Sequence, residues 1–114
     1  MATYLVTGAA GFIGGAIAKQ LIIEGNKVVT IDNLSTGIIE NIPAEVEFYQ
    51  GDCGDPDVYK TLPKYKYDAI FHIAGQSSGE ISYDNPIYDL KTNTESTLHL
   101  LQFALKRKCD RFIY

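Results

Sequence analysis

Apolar residues along this chain fall into two alternating kinds of run. Short, continuous, β-rich runs occupy residues 4–7, 27–31, 46–49, 69–73 and 112–114. Runs that do not alternate with polar residues predict strands covered on both faces. Helical spacing fills the gaps. Ile13, Ala16, Ile17 and Leu21 form one stripe, with Gly25-Asn26 as its stop. Leu90, Thr94, Thr97, Leu98, Leu101, Ala104 and Leu105 form a longer one, and a shorter helix is expected over residues 55–62, ended by Pro63. Residues 33–44 read as a loop with one helical turn, and residues 76–89 as a loop entering the last helix near Pro86. Strand–helix–strand alternation with short links predicts an α/β fold with a doubly wound parallel sheet. Right-handed crossovers give the strand order 3-2-1-4-5.

The first strand runs directly into Thr7-Gly8-Ala9-Ala10-Gly11-Phe12-Ile13-Gly14-Gly15. Glycines at 8, 11 and 14 join a strand to a helix. Bare backbone there lets a pyrophosphate reach the loop amides, and the helix behind offers free N–H groups and about half a positive charge. Gly14 would let the helix pack close to the strand. No Gly-Lys-Ser/Thr follows, which excludes a Walker loop. Asp32 ends the second strand, 18 residues after Gly14. In a dinucleotide-binding, Rossmann-like sheet that carboxylate accepts from the adenosine ribose and repels a 2′-phosphate, so NAD is expected over NADP. The bland alternatives are a ligand-free glycine turn and a surface Asp-Asn turn.

Composition narrows the partners. A formal net charge of -4 over 114 residues argues against nucleic acid or an anionic membrane as the main partner. The basic cluster Lys106, Arg107 and Lys108 falls where a helix should end, and is expected as a solvated terminus. Cys53 and Cys109 form no CxxC and no metal-ligand spacing with His72 or His99, so two unpaired thiols in a reducing cytoplasm are expected, with no metal site. The N-terminus carries no signal-like pattern, and no uncharged apolar stretch is long enough to span a bilayer.

TGAAGFIG resembles the TGxxGxxG fingerprint of short-chain dehydrogenase/reductases, and its Phe12 and Ile13 point to the extended branch, the NAD-dependent epimerase/dehydratase family. Asp32-Asn33-Leu34-Ser35-Thr36-Gly37 is similar to the DNLSTG segment of nucleotide-sugar 4-epimerases. Gly51-Asp52 resembles the GD motif whose carboxylate meets the adenine amino group, with Cys53 alongside by its backbone. His72-Ile73-Ala74-Gly75-Gln76 resembles the segment closing the fourth strand beside the cofactor. Asn85-Pro86 and Asn93 match the helix that follows. The resemblance therefore implies NAD contacts from Gly8, Ala10, Gly11, Phe12, Ile13, Gly14, Asp32, Asn33, Ser35, Thr36, Gly37, Asp52, Cys53, Ile73, Ala74, Gly75 and Gln76. It further implies a sugar-nucleotide substrate, transient hydride transfer, and a homodimer built through helices flanking the catalytic face.

From the residues alone, other roles stay open. Asp52 could cap the turn before Asp55. His72 reads as a packed residue rather than a catalyst, and His99 as surface or core. Asn93 steadies the sheet in the family, or faces solvent here. The polar loop at residues 75–79 could touch substrate or be merely polar.

The family's chemistry needs a tyrosine with lysine four residues on. None of the eight tyrosines has that partner. In the family, the Ser/Thr loop and the Tyr–Lys helix follow the strand at residues 111–114, and the sugar-binding domain comes later. The expectation is thus the N-terminal part of an NAD-binding domain, cut at the end of its fifth strand and inactive alone. The alternative is a stand-alone NAD-sensing module without catalysis.

Overall fold

The computed structural model describes residues 1–75 and 83–114. Its elements are β1 (Thr3–Thr7), α1 (Phe12–Ile23), β2 (Lys27–Asp32), a 3-10 turn at Ile39–Asn41, β3 (Glu47–Gln50), a 3-10 segment at Pro56–Lys60, β4 (Ala69–His72), α2 (Pro86–Leu90), a wide π-helical turn at Lys91–Glu95, α3 (Ser96–Lys106) and β5 (Phe112–Ile113). The five strands pair in parallel in the order β3-β2-β1-β4-β5, as expected.

The pleat divides the core in two. Leu5 lies beside Val29 and Ile70 in the register, and this layer packs against Tyr67, Leu100, Phe103 and Ala104 on the α3 side. Val6 and Val28 point to the other face, where Ala18, Ile17, Leu21 and Ile22 of α1 cover them. Central strands with apolar residues on both faces are the physical reason the runs do not alternate.

Both long helices end in the same hydrogen-bonded motif. After α1, Gly25 (φ 86) donates to Ile22 O and Asn26 donates to Leu21 O, the stop expected from Gly25-Asn26. After α3, Lys108 donates to Leu105 O and Cys109 to Ala104 O, with Lys108 itself at φ 55. Lys106 and Lys108 are exposed as expected, whereas Arg107 is half-buried, its guanidinium 5.3 Å from the Phe103 ring centre.

Several expectations need correction. Ile13 and Ala16 are exposed, because α1 turns Gly14 and Ala18 to the sheet. Residues 55–62 form a shorter 3-10 segment, opened by Asp55, whose carboxylate accepts from Asp57 N at 3.0 Å, and ended before Pro63. β4 stops at His72 because the next amide, Ile73 N, donates to the Thr7 hydroxyl. Tyr114 lies outside β5 and is exposed. The last helix buries Ser96, Leu100, Phe103 and Ala104, leaving Leu98, Leu101 and Leu105 outside, with Leu105 80% exposed. Cys53 and Cys109 are free and buried. No helix among the described residues is long and apolar enough to cross a membrane.

A lysine in the left-handed region costs about 1 kcal/mol relative to glycine. Lys108→Gly should therefore raise the unfolding free energy by about 1 kcal/mol in urea titrations, and an unchanged midpoint would contradict this account of the α3 terminus.

Candidate functional site

The carboxyl ends of β1 to β4 open on one cleft of ≈ 260 Å³. Its floor is made by the turn from β1 into α1. Gly8 sits at φ 81, and a side chain there would meet the Ala74 backbone. At Gly14 an added Cβ would lie 2.2 Å from Gly8 O. Only hydrogen fits between the first turn of α1 and the end of β1. Gly11 precedes the helix in an extended conformation. No side chain among the described residues caps it, and its first turn holds no acid. The N–H groups of Phe12, Ile13 and Gly14 therefore face the cleft end of α1 without intrahelical partners.

Asp32 closes the second wall. It is 9% exposed, and each of its oxygens holds one backbone amide: Oδ2 accepts from Ala10 N at 3.0 Å and Oδ1 from Leu34 N at 2.8 Å. An ionised carboxylate has about four acceptor positions, so each oxygen keeps capacity toward the cleft. Thr30 Oγ1 accepts from Ala9 N in the same way, so β2 fastens two amides of the turn. Beyond it, Asn33 Oδ1 accepts from Ser35 N. The segment then returns to the turn through Ile38 N and Asn41 Nδ2, both donating to Ala10 O.

Asp52 lies at the end of β3, with Oδ1 accepting from Gly54 N at 2.8 Å. It thus braces its own turn while lining the cleft. The Cys53 thiol is buried, and burial first, then the neighbouring Asp52 charge, pushes it up to about 12. It is no nucleophile at neutral pH. Its carbonyl accepts from Tyr59 OH at 2.7 Å.

Across from these, Thr7 Oγ1 accepts from Ile73 N and Ala74 N, both at 3.0 Å, and so shapes the segment 73–75 that lines the cleft. Among the described residues no Lys, Arg or His side chain lines it, so positive potential comes from backbone amides alone.

Of the residues expected at the site, Gly8, Gly11, Phe12, Ile13, Gly14, Asp32, Asn33, Ser35, Thr36, Gly37, Asp52, Cys53, Ile73, Ala74 and Gly75 line this cleft. Ala10 does not. It is 0% exposed, its N–H is held by Asp32 and its carbonyl by Ile38 and Asn41. Gln76 lies outside the described residues, as does the loop 76–79. Ile31, Gly51, Tyr88 and Thr92 also line the cleft and were missed; the i, i+4 spacing of Tyr88 and Thr92 on one helical face was the available signal. Asn93 is half-buried, not solvent-facing, with Oδ1 2.8 Å from where a Gly75 side chain would begin. His99 is absent from the cleft wall and contacts Glu95 at 3.3 Å.

Comparison with known proteins agrees with this geometry. The sequence profile of the NAD dependent epimerase/dehydratase family matches residues 4–114. The chain belongs to that family. UDP-glucose 4-epimerase of Mycolicibacterium smegmatis is 39% identical over 105 residues, covering 88% of this chain and 34% of the relative. UDP-glucose 4-epimerase of Thermotoga maritima, solved with UDP-glucose, superposes with a TM-score of 0.91 at 36% identity, over 96% of this chain and 36% of that one. The Thermus thermophilus enzyme, solved with NAD, gives 0.91 at 32% identity over 98% and 36%. The chain thus spans about a third of the length of these epimerase/dehydratase relatives.

His72, at the end of β4 in this epimerase/dehydratase sheet, is packed rather than cleft-lining, as the sequence suggested. It is 4% exposed, and burial lowers its pKa from 6.5 to about 4. The folded state resists protonation that the unfolded chain accepts. Stability is therefore full above pH 6.5 and is lost as pH falls toward about 4, by on the order of 3 kcal/mol. NMR titration of the His72 ring should show it neutral down to about pH 4; a midpoint near 6.5 would contradict this.

Proposed function

We propose that this chain forms the NAD-binding portion of a nucleotide-sugar epimerase or dehydratase that works by transient hydride transfer on a sugar nucleotide. The observation that carries the reading is the pairing of a carboxylate, Asp32, with the uncapped N-terminus of α1 across one cleft. The residues present fit a dinucleotide. Gly14 and Gly8 leave the turn bare where a pyrophosphate would approach the amides of Phe12, Ile13 and Gly14. Asp32 retains acceptor capacity for the ribose hydroxyls and repels a 2′-phosphate, which favours NAD over NADP. Asp52, which lines the same cleft and has one oxygen not engaged by Gly54, is the acceptor this reading assigns to the adenine amino group.

The cleft, at ≈ 260 Å³, lies just under the usual range of about 300–1,000 Å³ for small-molecule sites. It suits the adenosine and pyrophosphate portion, leaving the nicotinamide side to be completed by residues outside these 114. Bound NAD would supply the hydride acceptor and donor. This chain's residues bind and orient it. The acid/base pair, a tyrosine with lysine four residues on, is absent from this sequence. A net charge of -4 suits a partner other than nucleic acid, and two free buried thiols suit a cytoplasmic setting.

Calorimetry tests the cofactor reading. Asp32→Ala removes charged hydrogen bonds worth about 1.5–3 kcal/mol and releases two loop amides, so NAD affinity should fall about tenfold or more. Equal affinity in both proteins would take Asp32 out of the site. The 114 residues by themselves should not turn over UDP-galactose in a coupled assay; measurable epimerisation would refute the assignment of chemistry to residues beyond them.

A further inference from the structure

Behind the cleft wall, three buried side chains form a hydrogen-bonded line whose direction the geometry fixes. The two lone pairs of Thr7 Oγ1 are taken by Ile73 N and Ala74 N. Its one proton must therefore go to its remaining neighbour, His72 Nδ1, at 2.9 Å. With Nδ1 accepting, the neutral ring carries its proton on Nε2, which faces Ser96 Oγ at 3.2 Å. Ser96 in turn donates to Thr92 O at 2.5 Å. Thr92 O needs that donor, because in the wide turn at Lys91–Glu95 the Ser96 amide bonds to Lys91 O instead. In a regular helix the same amide would close on Thr92 O.

We propose that His72 is a positioning residue: held as the Nε2–H tautomer by Thr7, it keeps Ser96 turned onto Thr92 O and so holds open the wide helical turn that places Thr92 in the cleft wall and Asn93 against Gly75. The inference rests on the cofactor reading above only for its effect on NAD. A single wide turn inserted in a helix is frequently found at functional sites. Here the sheet supplies the hydrogen bond that maintains it. Asn93 Oδ1 sits 2.8 Å from where a Gly75 side chain would begin, so a side chain added there would have to displace the Asn93 amide. A shift of the turn by one residue would move both Asn93 and Thr92.

The test uses NMR of the protein carrying this chain. Long-range ¹H–¹⁵N spectra should show the His72 ring with a protonated Nε2 and a bare Nδ1 at neutral pH. A protonated Nδ1 would overturn the proposal. In Ser96→Ala, scalar couplings across hydrogen bonds should show the residue-96 amide changing acceptor from Lys91 to Thr92, and NAD affinity should fall by up to about tenfold, the equivalent of one lost hydrogen bond. An amide that keeps Lys91 as its acceptor would overturn it equally. Leu98→Ala, on the exposed face, should leave both readouts unchanged. Should Ser96→Ala not fold, the ring spectrum of the unmutated protein decides alone. Failure of the unmutated protein to bind NAD would remove the cofactor reading, while the ring and amide readouts still decide the positioning role.

Discussion

The approach of α1 to the end of β1 is the contact on which the rest of the site depends. Gly14 packs so tightly on Gly8 O that a single added carbon would sit at 2.2 Å. This contact points the helix axis into the cleft and leaves its first amides there. It also sets Ala9 and Ala10 within reach of Thr30 and Asp32, so the turn is fastened to β2 as well as β1. A larger residue at 14 would do more than crowd a ligand. It would tilt the helix away and release both amides.

The central strands were legible in the sequence because burial on both faces erases alternation, whereas the edge strands β3 and β5 are only partly buried; each of the five runs became a strand to within one residue at either end. The order followed from handedness once the runs were assigned. The glycine turn and Asp32 were legible for a different reason: their spacing is dictated by the geometry of strand, turn and helix, which leaves few residue types acceptable. Ala10 shows the boundary of that logic. It belongs to the fingerprint, yet its groups are consumed inside the turn, and position in a motif does not reveal which way a backbone amide points.

The final helix was misread in phase. Regular spacing of about 100° per residue joins Leu90, Thr94, Thr97, Leu98, Leu101, Ala104 and Leu105 into a plausible core stripe, of which the structure buries Ala104. The structure instead turns Tyr88, Thr92, Ser96, Leu100 and Ala104 inward, every fourth residue. Four steps at regular pitch overshoot one full turn by about 40°, and the wide turn at Lys91–Glu95 absorbs part of that drift. Nothing in the local residue types announces such a turn. It becomes intelligible only with the sheet in place, where the Ser96 hydroxyl lies between His72 and the Thr92 carbonyl. The pocket residues Tyr88 and Thr92 were missed for this same reason.

Asp32 serves two masters, and this limits how the protein can change over generations. On the reading proposed here its charge discriminates between cofactors, but its oxygens also pin Ala10 on one side and Leu34 on the other. Leu34 itself sits at φ 60, a conformation its side chain does not favour. Drift toward a different cofactor cannot proceed by neutral loss of this carboxylate, since the first step would slacken the glycine turn before any new preference was gained. Replacement donors for both amides would have to arise first or together. A specificity switch at this site is thus a multi-step path across a valley in stability, and selection has good physical grounds to keep the acid in place.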